Sequence, residues 1–252
     1  MIRRVAARFD LKGPDVIKGV QMEGLRRIGP VQTQVEGIAS KGVDELILID
    51  AVASLYGQSA IYDAIQFATR HLFLPVTAGG GIRTVEDAHR FIDAGADRVS
   101  INSATFSDQT LVEELAKVFG AQAVVVSIEA KKIAPRHWRC YFESGRQDSG
   151  VELRDKLASI SPDMVGEILL TSVDKDGMCR GPDLELVRLA GEISKVPLVY
   201  SGGIESIQSA IAVLEQDAYS CIALSSAVHK NQFSISDLKK EARSQGLQVR
   251  TL

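Results

Sequence analysis

The chain has 252 residues, a formal net charge of −3, and 45% hydrophobic and 24% charged residues. That length buries roughly three quarters of the surface an unfolded chain exposes, and the composition excludes a disordered chain. The mild acidity excludes a broad nucleic-acid footprint, and no apolar run approaches the ~18 residues that cross a bilayer. Cys140, Cys179 and Cys221 lack metal-ligand spacing, which fits reduced thiols. The opening MIRRVAARFDLKG has no apolar signal core. A soluble cytoplasmic protein is expected, with no nucleic-acid or membrane partner.

Short β-branched runs alternate with amphipathic stretches throughout. In chain order the expected strands are 4–9, 45–50, 75–78, 98–102, 123–128, 167–171, 197–200 and 220–224. Helical patterns fall at 31–41, 62–71, 85–95, 108–119, 183–193 and 206–214. Continuous apolar strands between helices mark a parallel sheet covered on both faces. Eight such units favour closure into a barrel over an open sheet. The fold class expected is α/β, a single (β/α)₈ TIM barrel with a two-fold half-barrel repeat, as one domain over residues 1–252. The basic stretch 131–139, with Trp138, reads as a loop or hairpin with a solvated face.

The repeat is explicit. Glu45-Leu-Ile-Leu-Ile-Asp50 returns as Glu167-Ile-Leu-Leu-Thr-Ser172, Gly80-Gly81-Ile82 as Gly202-Gly203-Ile204, and Ser103-Ala104 as Ser226-Ala227. The offset is 122 or 123 residues, about half the chain, as two four-strand half-barrels require.

In such a barrel the chemistry gathers at the C-terminal strand ends. Those ends carry Asp10, Asp50, the 79–81 glycines, Asn102 and Ser103, Glu129, the 171–176 segment, the 201–203 segment, and Ser225 and Ser226. Glycines let backbone N–H groups approach an anion closely. Gly80 and Gly81 with Asn102 and Ser103 read as one phosphate cradle, and Ser201, Gly202 and Gly203 with Ser225 and Ser226 as a second. A bland alternative, tight strand-to-helix turns, explains one Gly-Gly pair better than it explains two. Asp10 and Glu129 close opposed strands and suit general acid–base work on a substrate stretched between the cradles; Asp10 alone also fits a loop cap. Lys12 and Lys18 share the first loop, as phosphate partners or as solvated lysines.

At the opposite ends Arg4, Glu45, Arg98 and Glu167 offer a ring of two positive and two negative charges, either an ion-pair layer or a gate. His71, His89, His137 and His229 show no ligand spacing and read as structural or surface residues; no metal site is expected.

Taken together, FDLKG…VIKG at 9–19, DELILID at 44–50, TAGGGI at 77–82, DRVSIN at 97–102, FGAQAVVVSIEAK at 119–131, GEILLTSVDKDG at 166–177, SGGI at 201–204 and the tail LKKEARSQGLQVR resemble the cyclase subunits of imidazole glycerol phosphate synthases. The resemblance implies a lyase of histidine biosynthesis without metal or organic cofactor. Its substrates would be ammonia and a bis-phosphorylated ribulosyl-formimino-aminoimidazole carboxamide ribonucleotide. The products would be imidazole glycerol phosphate and aminoimidazole carboxamide ribonucleotide. A glutaminase subunit would dock on the N-terminal face, and ammonia would travel through the barrel. By position, Asp10 and Glu129 would be catalytic. Substrate and phosphate contacts would come from Lys18, Asp50, Thr171, Asp176, Gly177 and the two cradles. Arg4, Glu45, Arg98 and Glu167 would form the ammonia gate.

The chain also departs from the family pattern. Glu129 replaces an aspartate, moving the acid group by about an ångström, a displacement that can cost on the order of a hundredfold in rate. Arg8 replaces a small residue in the lumen and must find a carboxylate, Asp10 or Glu129. Leu224 and Ser225 are bulkier than the usual alanines, and Arg98 stands for a lysine. Two further readings follow: a relative that uses channelled ammonia to amidate another substrate, such as a nucleotide sugar of surface polysaccharides, and a non-catalytic subunit that binds a phosphorylated ligand and channels ammonia.

Overall fold

A computed structural model describes residues 1–53, 59–108 and 110–250. Eight parallel strands close on themselves: β1 (Arg4–Lys12), β4 (Glu45–Asp50), β5 (Val76–Gly79), β6 (Arg98–Ile101), β7 (Val124–Ala134), β10 (Glu167–Ser172), β11 (Leu198–Ser201) and β12 (Tyr219–Leu224). They pair in that order, and β12 returns to β1. The expected (β/α)₈ barrel is the fold. Around it lie α1 (Val31–Ile38), α2 (Ser59–His71), α3 (Val85–Asp93), α4 (Ala104–Ser107), α5 (Thr110–Phe119), α6 (Leu153–Ser159), α7 (Leu184–Ile193), α8 (Ile207–Leu214), α9 (Ser226–His229) and α10 (Ile235–Ser244).

Four antiparallel strands were not expected as strands. β2 (Asp15–Val20) and β3 (Glu23–Pro30) fold the first loop into a hairpin on β1. β8 (His137–Phe142) and β9 (Gln147–Glu152) extend β7. Tight two-residue turns with φ > 0 usually betray themselves as Asn-Gly or Asp-Gly. Here the β2–β3 turn uses Gln21 (φ 53°) and Met22 (φ 62°), so the local signal is missing. The solvated-face reading of 131–139 fails at its aromatic residue: Trp138 is 1% exposed and donates its Nε1–H to Asp183 at 3.1 Å. Lys132 lies over the Trp138 ring. The expected helix 31–41 ends three residues early, at Ile38. The 108–119 pattern breaks at Asp108, whose carboxylate accepts the Thr110 N–H; Gln109 lies outside the described residues.

Strand alternation sorts the core into two parts. Phe9, Leu46, Leu48, Val126 and Leu170 face the helices. Ala6, Ile47, Val125, Leu169, Val199, Cys221 and Ala223 pack against one another as the separate lumen cluster. On β1 the lumen-facing sequence is therefore Arg4, Ala6, Arg8, Asp10, which stacks charged, apolar, charged and reactive layers along the barrel axis.

Candidate active site

The repeated Gly-Gly pairs occupy equivalent places. A Cβ on Gly80 (φ 114°) would sit 2.4 Å from the Asp50 carbonyl oxygen, and one on Gly202 (φ 123°) 2.8 Å from that of Ser172. Glycine is therefore required where each strand end crosses its neighbour. After each pair a helix opens with a reciprocal cap, Thr84 with Asp87 on α3 and Ser206 with Ser209 on α8.

The two cradles differ in space. The first opens into a cavity of about 570 Å³ lined by Arg8, Asp50, Gly80, Gly81, Asn102, Ser103 and Glu129, with walls from the β8–β9 hairpin. The second, lined by Asp176, Gly177, Ser201, Gly202, Gly203, Ser225 and Ser226, encloses about 20 Å³, room for roughly one water. Leu224 and Cys179 also line it. The loop after β10 walls it and is backed by the β2–β3 hairpin: Gln21 N–H donates to the Asp176 carbonyl at 2.7 Å, and Gly177 packs on the Gly19 carbonyl so tightly that a Cβ would meet it at 2.1 Å.

Between the cradles stands a charge cluster. Arg8, 4% exposed, finds Asp10: its Nε donates to Asp10 Oδ1 at 3.0 Å and its Nη1 to the Thr171 hydroxyl at 2.7 Å. Thr171, fully buried, thus lines neither cradle and serves Arg8 instead. Lys18 donates to both Asp176 oxygens at 2.7 Å and reaches Asp10 Oδ2 at 3.3 Å. Lys18 is buried and Lys12 exposed. Burial pushes the Asp10 carboxyl up, but Arg8 and Lys18 more than offset this and hold it below the usual carboxylate range. Glu129 is 8% exposed, and its Oε2 accepts the Gly145 N–H at 2.7 Å. Burial raises its carboxyl to about 7, against the opposing pull of Gly145 and Arg8. Burial also raises Asp50, against the pull of the Val52 and Ala53 N–H groups.

The four charges at the strand starts do meet. Arg4 donates to Glu45 at 2.7 Å and to Glu167, and Arg98 reaches Glu45 at 3.3 Å and Glu167 at 2.8 Å. Ser220 donates to Glu167 at 2.8 Å, and the Cys221 thiol lies 3.2 Å from Glu45. The ring closes the base of the lumen below the apolar layer.

Several lining residues carried no sequence signal: Arg83, Phe142, Ser144, Asp148 and Ser149 reach the first cavity from loops and the second hairpin. His229 is not a surface residue either. It stacks on Phe9 with ring centroids 5.2 Å apart, and burial, with Lys18 nearby, lowers its imidazole to about 4.

Residues 4–234 match the model of a protein family described as histidine biosynthesis protein. The chain belongs to this family. Its curated relatives include an imidazole glycerol phosphate synthase subunit HisF from Legionella pneumophila, 40% identical over 81% of this chain and 97% of the relative. Others of the same name come from Streptococcus gordonii, 37% identical over 98% of each chain, and Myxococcus xanthus, 36% identical over 100% of this chain and 99% of the relative. The histidine biosynthesis family thus spans both half-barrels, both cradles and the ring. No helix among the described residues is long and apolar enough to cross a membrane.

Proposed function

We propose that the chain is the ammonia-dependent cyclase subunit of an imidazole glycerol phosphate synthase. It takes the bis-phosphorylated ribulosyl-formimino-aminoimidazole carboxamide ribonucleotide and ammonia to imidazole glycerol phosphate and aminoimidazole carboxamide ribonucleotide, releasing water. The observation that carries this reading is the placement of Asp10 and Glu129 between two equivalent Gly-Gly cradles, above a charged ring, in a chain of this family. One substrate phosphate binds at Gly80, Gly81, Asn102 and Ser103. The other binds at Ser201, Gly202, Gly203, Ser225 and Ser226, with Asp176 and Gly177 at the wall. Seating the second phosphate requires the β2–β3 hairpin and the loop after β10 to move outward, because the second cavity has room for little more than one water. Asp10 and Glu129 are the catalytic carboxyls, and Lys18 and Asp50 hold the substrate and the Asp10 carboxylate in place.

A glutaminase subunit docks on the N-terminal face and delivers ammonia through the ring of Arg4, Glu45, Arg98 and Glu167. The path runs past Ala6, Ile47, Val125 and Leu169, whose apolar side chains favour neutral ammonia over ammonium.

A second reading has its own observation. Arg8 fills the lumen beside Asp10 and takes that carboxylate as its partner, which reshapes the reaction centre while leaving the base intact. This favours a relative that uses channelled ammonia to amidate another phosphorylated substrate, such as a nucleotide sugar. One experiment separates the two. The purified chain is given the ribulosyl-formimino substrate and an ammonium salt at high pH. Formation of both products is expected; none, together with tight binding of a glutaminase subunit, overturns the cyclase reading in favour of the second. Under that second reading, Glu129→Asp with Arg8→Cys raises cyclase turnover.

A further inference from the structure

Five charged or titratable side chains meet at the top of the lumen. Arg8 and Asp10 come from β1, Lys18 from β2, Glu129 from β7 and Asp176 from the loop after β10. Around them, Asp50, Asn102, Glu143 and Asp148 line the same cavity as Glu129, and His229 of α9 lies close enough to feel both Lys18 and Asp10. Two cations therefore face three central carboxyls. Their hydrogen bonds decide how the charge is shared. Asp10 has both oxygens held by cations, Oδ1 by the Nε and Nη2 of Arg8 at 3.0 Å and Oδ2 by Lys18 at 3.3 Å. Asp176 takes the rest of Lys18. Glu129 makes no ion pair among the described residues; one of its oxygens accepts a backbone N–H.

We propose that Arg8 is a positioning residue that keeps Asp10 a fixed anion, and that Glu129 alone moves protons at the reaction centre. The inference rests on the reading of these two carboxyls as catalytic and divides their labour. Protonating Asp10 breaks charge-assisted bonds to two buried cations, and such bonds are about twice as strong as neutral ones. A buried carboxyl outside an ion pair, where burial outweighs the pull of Gly145, Arg8 and Asn102, by contrast exchanges its proton near neutrality, where a general acid–base group works best. The shifts of the two groups agree: Asp10 is held below its usual range and Glu129 is raised to about 7. As the ammonia nitrogen adds to the ribulosyl carbonyl carbon, the C=O π pair moves to oxygen; Glu129 takes a proton from the nitrogen and passes it to that oxygen, which leaves as water. When the same nitrogen then attacks the formimino carbon, Glu129 again takes its proton and gives it to the aminoimidazole nitrogen, whose C–N bond breaks, and Glu129 ends as it began. Asp10 contributes a constant negative charge that stabilises the positive nitrogen formed in between.

The test is carbon-13 NMR of the full chain labelled at the Asp and Glu carboxyl carbons, titrated without substrate. A Glu resonance absent from Glu129→Gln is expected to titrate near neutral pH. An Asp resonance absent from Asp10→Asn is expected to stay ionised throughout the pH range in which the fold holds. In Arg8→Met the Asp10 acid constant falls by at least tenfold, and Arg8→Lys returns it towards the wild-type value. An Asp10 that titrates in the usual range in wild type, or is unmoved in Arg8→Met, overturns the proposal; so does a Glu129 that titrates below pH 5. The wild-type titrations decide even where Arg8→Met fails to fold. In the ammonium-supported assay the turnover limb is expected to track the NMR midpoint of Glu129, and a limb elsewhere overturns the assignment. A chain that does not turn over this substrate refutes the cyclase reading, while the NMR titrations still decide the charge states.

Discussion

The two ends of the lumen carry the same kinds of residue and treat them differently. At the base, Arg4 and Arg98 each bridge Glu45 and Glu167, so two cations meet two carboxylates and each carboxylate touches both. At the reaction centre, Arg8 and Lys18 pair with Asp10 and Asp176, and Glu129 makes no ion pair among the described residues. In a balanced cluster every charged form is partnered. An unbalanced one leaves its proton exchange to the carboxyl without an ion pair. The lumen thus has a fully paired end and a titrating end, separated by an apolar layer.

That contrast is broken or sharpened by four changes. The largest effect is expected for Asp10→Asn, which removes the acceptor shared by Arg8 and Lys18. Ammonium-supported turnover falls by roughly 10²–10³-fold, as loss of a fixed stabilising charge implies, read from steady-state rates, and retained turnover would remove Asp10 from the mechanism. Next comes Arg4→Met at the base, which leaves Glu45 and Glu167 to share Arg98 alone. Breaking such a buried pair costs about 3 kcal/mol, measured by urea unfolding at neutral pH. A loss below about 1 kcal/mol would mean that the ring is not balanced in the way its contacts imply.

The third change tests the titrating end. The Glu129 carboxyl is raised in the folded state, from 4.5 to about 7. Its contribution to stability is therefore complete below pH 4.5 and is lost as the pH rises through about 7. Glu129→Gln cannot ionise, so its stability relative to wild type should climb over that window by on the order of 2 kcal/mol, measured by urea unfolding at pH 5 and pH 8. A difference that stays flat would place Glu129 in an ordinary polar setting. Asp10 behaves in the opposite sense: its lowered carboxyl contributes stability at neutral pH that is lost on acidification. The smallest effect belongs to Lys12→Ala. Exposed beside the buried Lys18, Lys12 should change stability by less than about 0.5 kcal/mol and leave turnover as it was; a measurable loss in kcat/KM would bring it into the site.

Much of this was legible in the order of residues. The strand ends announced both Gly-Gly cradles, the Asp10 and Glu129 pair and the four-residue ring, because strand period and half-chain repeat fix which side chains share a face and a layer. The burial of Arg8 against a carboxylate also followed, since a lone cation in a lumen must be partnered. The period puts Thr171 on the lumen face, but only tertiary structure shows that the Arg8 guanidinium, 163 residues away in sequence, donates to its hydroxyl. The first hairpin escaped because its turn places Gln21 and Met22, rather than Asn or Asp, at positive φ; the second lies where a loop or hairpin was expected, but the burial of Trp138 in it escaped, since that depends on Asp183 rather than on its own neighbours.

The sequence by itself therefore determined the architecture, the site's layers and its inventory of charges. All of these follow from local periodicity and from a repeat that the chain carries twice. Tertiary structure alone decided which charges pair, how unequal the two cradles are, and which carboxyl keeps its proton near neutral pH. Those outcomes depend on distances between strands far apart in the chain and on how little water reaches the lumen. The 3.0 Å contact between Arg8 and Asp10 and the solitary burial of Glu129 are where the two kinds of information meet.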